Sequence, residues 1–145
     1  MINKSRYRCS FMNFSNNESR LKILLVDDEP ANIVLLKKML STKGYDNILT
    51  TLDSKKVVSL FKEYKFDLIF LDINMPTMNG YEVLSELKKL EFLGDTQVIA
   101  ITGDIDPDDI DKGLEAGFSD YITKPIKIST IIQSADNALQ ILSAE

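Results

Sequence analysis

Asp72 stands directly after the run Phe66-Asp67-Leu68-Ile69-Phe70-Leu71 and directly before Ile73-Asn74-Met75-Pro76-Thr77-Met78-Asn79-Gly80. A run so short and apolar reads as a strand of a parallel sheet buried on both faces, and the Pro and Asn-Gly after it mark a loop. Asp72 therefore belongs at the carboxyl end of a central strand, the edge where open α/β sheets place their ligands. Three other expected strand ends carry chemistry that matches. Lys22–Val26 runs into Asp27-Asp28-Glu29, Gln97–Ile101 into Thr102-Gly103-Asp104, and Ser119–Thr123 into Lys124-Pro125. Carboxylates grouped without histidine or thiolate describe a hard-cation site with oxygen ligands, for which Mg2+ is the natural occupant. Thr102 adds a hydroxyl donor and Lys124 a mobile positive charge, both suited to phosphoryl oxygens. The set fits in-line phosphoryl transfer, with Asp72 at its middle as a carboxylate nucleophile.

Taken singly, each piece has a plainer reading. Asp72 suits a loop or a helix cap, and Asp27-Asp28-Glu29 before Pro30 suits a solvated helix start favoured by the dipole. Thr102-Gly103 suits a turn, and Lys124-Pro125 a surface loop. The argument rests on four strand ends bearing complementary groups in one order.

Those ends need a scaffold, and the rest of the chain supplies its pattern. After Lys22–Val26, Pro30 opens a helix with Ile33, Val34, Leu36, Lys37 and Leu40 in helical rhythm, closed by Gly44. Asn47–Leu52 reads as a weaker strand, and Ser54 as the cap of a helix carrying Val57, Val58, Leu60, Phe61 and Tyr64. Gly80–Leu90 is helical through Val83, Leu84 and Leu87, and Pro107–Ala116 is a short acidic helix with Ile110 and Leu114. Ser129–Leu142 carries Ile131, Ile132, Ala135, Ala138, Leu139 and Leu142 on one face. Five strands alternating with five helices make a doubly wound parallel sheet.

Composition removes several function classes. The 145 residues suit one domain, 44% hydrophobic and 27% charged, with net charge −5 and a pI near 4.8. That acidity argues against direct DNA binding. Lys4, Arg6, Arg8 and Arg20 stand against Glu18, so residues 1–20 are +3 and the remainder is −8. Those first residues show no apolar period and read as a flexible N-terminal extension, with the domain occupying 21–145. The extension is expected to be dispensable for folding. Cys9 is the only cysteine, which fits a reducing cytoplasm. There is no histidine, so the chain has neither the commonest general base nor a group that can carry phosphohistidine. No stretch approaches the roughly 20 apolar residues of a membrane helix.

Leu21–Leu142 resembles the receiver domain of two-component response regulators. The resemblance is carried by Ile23-Leu24-Leu25-Val26-Asp27-Asp28-Glu29-Pro30, Asp72 through Gly80, Ala100-Ile101-Thr102-Gly103, and Asp120-Tyr121-Ile122-Thr123-Lys124-Pro125. It implies a flavodoxin-like (βα)5 fold with Asp72 as phosphoacceptor. Mg2+, with Mn2+ as substitute, would be held by Asp28, by Asp27 through water, by Asp72 and by the backbone carbonyl of Asn74. Thr102 and Lys124 would contact the phosphoryl group, Tyr121 would be the aromatic switch, and the bond before Pro125 would be cis. The implied partners are a sensor histidine kinase or histidine phosphotransfer protein and a downstream target protein. The chain would catalyse only its own phosphorylation and dephosphorylation. Asn79 and Gly103 depart from the usual Asp and Ala. The stretches at Glu29–Asn32 and Ala116–Tyr121 look most like receivers attached to hybrid histidine kinases, although no kinase or output segment is visible in these residues.

Rival readings are a relay intermediate that passes the phosphoryl group to another histidine, and a receiver kept only for docking. An aspartate-dependent phosphatase of haloacid-dehalogenase type would need a second Asp two residues after the nucleophile, where Asn74 stands. A flavin-binding module would need a first loop that cradles phosphate, and Asp27-Asp28-Glu29 would repel it.

Overall fold

The structure, a computed structural model, describes residues 17–90, 93–103 and 107–144. Most of the expected extension, Cys9 included, lies outside these residues, as does Asp104. The elements are α1 (Asn17–Arg20), β1 (Ile23–Val26), α2 (Pro30–Ser41), β2 (Ile48–Thr51), a 3-10 turn (Ser54–Lys56), α3 (Val57–Tyr64), β3 (Leu68–Asp72), α4 (Gly80–Lys88), β4 (Gln97–Thr102), α5 (Pro107–Ala116), β5 (Asp120–Thr123) and α6 (Ile128–Ala144). The five strands form one sheet in the order β2-β1-β3-β4-β5, every neighbouring pair parallel.

Successive strand residues point to opposite faces, and both faces are covered. Ile23, Leu25, Leu68, Phe70, Ile99, Ile101 and Ile122 pack with α2 and α6. Leu24, Val26, Ile69, Leu71, Val98 and Ala100 pack with α3, α4 and the end of α5. All five residues of β3 are buried, as its unbroken apolar run requires. This is the doubly wound sheet expected from the alternation of patterns.

Three local expectations change. Among the described residues the helices number six plus a 3-10 turn rather than five, because Asn17–Arg20 of the expected extension forms a helical turn. That turn is tied to the loop before β2: Ser19 Oγ donates to Asp46 Oδ1 (3.0 Å) and Asn47 Nδ2 donates to the Ser19 carbonyl (3.3 Å). Second, Ser54 is not a cap. Asp53 accepts from the Lys55 N–H at 3.0 Å, and the Ser54 hydroxyl is buried with no hydrogen-bond partner. An Asp one residue earlier competes for the same orphan N–H groups with a charged acceptor. Third, Val34 is 52% exposed. The buried arc of α2 is Ile33, Leu36 and Leu40, and a residue one step along the helix is rotated by about 100° off that arc.

On the α2–α6 face, the turn after α2 is clasped to α6. Tyr45 is fully buried and donates its hydroxyl to Asp136, which also holds Lys43 Nζ at 2.7 Å. Burial, reinforced by that hydrogen bond and the Asp136 charge, raises the Tyr45 phenol above the ordinary tyrosine value. A phenol that binds its proton more tightly folded than unfolded contributes stability that is full below about pH 10 and is lost as pH climbs through the folded value. Tyr45→Phe should cost about 1–3 kcal/mol at neutral pH in urea unfolding. It should also flatten the alkaline loss of stability. An alkaline slope identical to wild type would show that Tyr45 is not its source.

Candidate functional site

The strand order assembles the site. β1 and β3 are neighbours in register, Val26 beside Leu71, so Asp27 and Asp72 leave the sheet side by side. β3 pairs with β4, Asp72 beside Ile101, which places Thr102 on the other flank. β5 follows β4 with Thr123 beside Thr102, and the Lys124 N–H donates to the Thr102 carbonyl at 2.7 Å. The Lys124–Pro125 peptide is cis, as the resemblance implied.

Asp27 and Asp72 are buried, Asp28 is exposed, and each offers a carboxylate oxygen within 4.8 Å of the others. Asp27 is held at both oxygens: Oδ1 accepts from the Glu29 N–H (2.9 Å) and Oδ2 from Asn32 Nδ2 (3.1 Å). Asp72 Oδ1 accepts from the Asn74 N–H at 3.1 Å, and Lys124 Nζ stands 3.9 Å from Asp72 Oδ2. Asn74 Nδ2 donates to the buried Thr102 hydroxyl at 3.1 Å. Glu29 is instead the residue at the start of α2. The loop after Asp72 turns back through Gly80, whose N–H donates to the Ile73 carbonyl at 3.0 Å. A Cβ on Gly80 would stand 2.9 Å from the Ile73 Cα, so only glycine allows this closure. Asn79 completes the loop by capping α4 reciprocally with Glu82.

Two buried carboxylates side by side oppose each other's ionisation. Asp72 is pushed up to about 6, first by burial, then against the pull of the Asn74 N–H, with Asp27 raising it further and Lys124 lowering it. Three carboxylates face one ammonium, so the pocket favours an incoming divalent cation. Its donors are all oxygen, which fits a hard ion such as Mg2+. Exposed Asp28 marks the side open to solvent.

Of the residues expected at the site, Asp27, Asp28, Asp72, Thr102 and Lys124 come together at this edge. Missed were the side chains of Asn32 and Asn74, which the residue spacing does not distinguish from solvated loop amides. Missed too was Gly113. Tyr121 is half-buried on the α4–α5 side, and a Cβ on buried Gly113 would lie 2.6–2.7 Å from its ring atoms Cδ2 and Cε2. Gly113 opens a notch in α5 for that ring. A glycine inside a helix costs about 1 kcal/mol against alanine, and that cost was the available signal. Leu114, expected on the packed face of α5, is 47% exposed. The last turn of α5 carries no basic residue, and Lys88 of α4 donates to the Ala116 carbonyl there at 2.9 Å.

In the metal-free protein the Asp72 carboxyl should titrate near pH 6 by carbon-13 NMR. Asp27→Ala should lower that midpoint but leave it above the ordinary carboxylate value, because burial is the larger cause. Folded Asp72 binds its proton more tightly than the unfolded chain does. Its contribution to stability is therefore full below about pH 4 and is lost as pH rises through 6, on the order of 2–3 kcal/mol. Asp72→Asn should remove that loss. A midpoint at the ordinary carboxylate value would contradict the burial argument.

The chain matches the profile of the response regulator receiver domain over residues 23–136. It is 35% identical over 122 residues to a probable cyclic di-GMP phosphodiesterase of Vibrio cholerae, covering 84% of this chain and 27% of that protein. It is 37% identical over 136 residues to hybrid signal transduction histidine kinase L of Dictyostelium discoideum, covering 89% of this chain and 8% of that protein. The chain thus spans about a quarter or less of the length of these two relatives. Among solved structures, the receiver domain of a signal transduction histidine kinase from Syntrophus aciditrophicus superposes with a TM-score of 0.73 at 33% identity, over 82% of this chain and 89% of that one. The receiver domain of a sensor histidine kinase from Pseudomonas aeruginosa, which has a magnesium ion coordinated in its active site cleft, gives 0.74 at 28% identity, over 83% and 98%. With the profile match, the parallel sheet order and the acidic cluster in agreement, the chain belongs to the response regulator receiver domain family of two-component signalling.

Proposed function

We propose that Asp72 accepts a phosphoryl group from a phosphohistidine of a sensor kinase or phosphotransfer protein, and that the phosphorylated domain signals by a changed protein-binding surface. The observation that supports this most is the convergence on Asp72: two further carboxylates with oxygens within 4.8 Å, and an ammonium 3.9 Å away. Asp27, Asp28, Asp72 and the Asn74 backbone carbonyl would hold Mg2+, Asp27 through water. The bound cation supplies charge neutralisation for the phosphoryl oxygens.

The chain's own residues do the rest. An Asp72 carboxylate oxygen attacks phosphorus, the bond to the partner's imidazole nitrogen breaks, and the imidazole leaves with that electron pair. The attacking group must be ionised, so transfer should quicken as pH rises through the raised Asp72 value. Thr102 donates its hydroxyl, and Lys124 its positive charge, to the transferred group. Thr102 then moves toward Asp72, Tyr121 turns further inward into the space it leaves, and the surface of α5, β5 and α6 changes. Any such ligand shifts the two arrangements only by its differential stabilisation of them. Asn74 stands where a phosphatase of haloacid-dehalogenase type needs its acid, which favours a stable acyl phosphate over turnover.

Incubation with acetyl phosphate and Mg2+ should add one phosphoryl group by intact mass, and chelation should prevent it. Asp72→Asn should stay unlabelled. Equal labelling of Asp72→Asn and wild type would make the assignment wrong.

A further inference from the structure

We propose that the Asn74 side chain is a latch on Thr102, which holds the domain in its unphosphorylated arrangement and sets the strength of phosphoryl signal needed to leave it. This rests on the function proposed above and adds a positioning residue to it.

The loop after β3 gives Asn74 two separate tasks. Its backbone N–H donates to Asp72 Oδ1 at 3.1 Å, and its carboxamide Nδ2 donates to Thr102 Oγ1 at 3.1 Å. One residue thus spans the attacking carboxylate and the hydroxyl that must later serve the transferred group. Thr102 is 1% exposed, whereas Asn74 is exposed on the loop above it. The carboxamide therefore lies over a hydroxyl that the rest of the fold has withdrawn from water. A threonine hydroxyl has two lone pairs and one rotating proton, so it can accept from one partner while donating to another, and each partner biases where Oγ1 points. A donor fixed on the Asp72 loop biases Oγ1 toward the loop.

The loop itself is stiff where it matters. Gly80 closes it against Ile73, Met75 donates its N–H to the Ile73 carbonyl at 3.1 Å, and Ile73 and Met75 are buried. Asn74 is the exposed residue between two anchored ones, so its carboxamide is presented from a fixed base. For Thr102 to turn fully to a new anion on Asp72, the contact with Nδ2 has to be given up or re-formed in another geometry. By linkage, whatever the contact contributes to the resting arrangement is subtracted from the apparent affinity for the switching ligand. An uncharged hydrogen bond at a partly exposed site makes that difference about two- to fivefold in affinity.

The probe is beryllofluoride with Mg2+, a stable stand-in for the phosphoryl group on Asp72, applied to the full chain. Asn74→Ala should bind it two- to fivefold more tightly than wild type. In a Thr102→Ala background the Asn74→Ala change should have no effect, because nothing is left to release. Without any ligand, the three-bond carbon couplings of the Thr102 methyl report its rotamer directly. They should show a rotamer population in Asn74→Ala that is shifted from the wild-type one. Beryllofluoride affinity unchanged or weakened in Asn74→Ala, while wild type binds normally, would overturn the latch. Failure of wild type to bind the probe would instead sink the phosphoacceptor reading. The methyl couplings would then decide the latch alone, and identical values in the two proteins would reject it.

Discussion

Two carboxylates that repel each other at the edge of a buried sheet are the constraint around which the molecule is arranged. Asp27 and Asp72 sit on adjacent parallel strands, both withdrawn from water, where ionising the pair is unfavourable unless something positive meets it. The fold does not cancel the charge internally. Lys124 is held at 3.9 Å, too far for a short ion pair, and Asp28 adds a third negative group at the solvent side. What the fold supplies is donors that fix the carboxylates in place: Glu29 and Asn32 on Asp27, and the Asn74 N–H on Asp72. The outcome is a rigid but electrostatically unfinished pocket. Incoming charge of the correct sign completes it.

The parallel sheet makes that arrangement possible. Both faces of β1 and β3 are covered by helices, so the strand ends are the only part of the central strands where a polar group meets solvent. The order β2-β1-β3-β4-β5 sets Asp27, Asp72, Thr102 and Lys124 along one edge in consecutive strands. Each loop is then constrained by its own device. Pro30 starts α2 directly after the acidic pair, Gly80 folds the Asp72 loop back on Ile73, and the Lys124 N–H ties β5 to the Thr102 carbonyl. The geometry of the pocket is a by-product of strand adjacency, with loops adding only the last ångström.

This division explains what could be read without coordinates. The unbroken apolar runs of β1 and β3, the loop signals after Asp72 and the helical faces of α4 and α6 are local patterns, and they mark the fold and the four strand ends. The grouping of Asp72, Asp28, Thr102 and Lys124 is legible because each follows an expected strand, and parallel strands bring their carboxyl ends to one edge. The remaining features depend on which neighbours meet in space. Asp53 and Ser54 are both good capping residues, and only the turn geometry selects the first. Val34 and Leu35 are apolar but face outward, because three other residues of α2 already cover the sheet. The donors Asn32 and Asn74 carry no periodic signature, since an amide that fixes a carboxylate looks like any solvated amide in a string of letters. Gly113 was visible as a flaw in a helix, but its reason, the Tyr121 ring, lies on another element.

The same glycine bears on how this domain comes apart. Helix α5 gives up the backbone restraint that a Cβ would provide, carries Glu115 against the direction of its own dipole, and takes its terminal positive charge from Lys88 of a neighbouring helix. Features of this kind belong to the low-stability end of a fold, where local opening precedes global unfolding. The amides of α5 would exchange with solvent while those of β1 and β3 stay protected. On the function proposed above, the surface that changes on phosphorylation is then also one that can open without unfolding the sheet. Helix strength in α5, set at positions far from any carboxylate, is then a control on the proposed response that is separate from the acidic pocket.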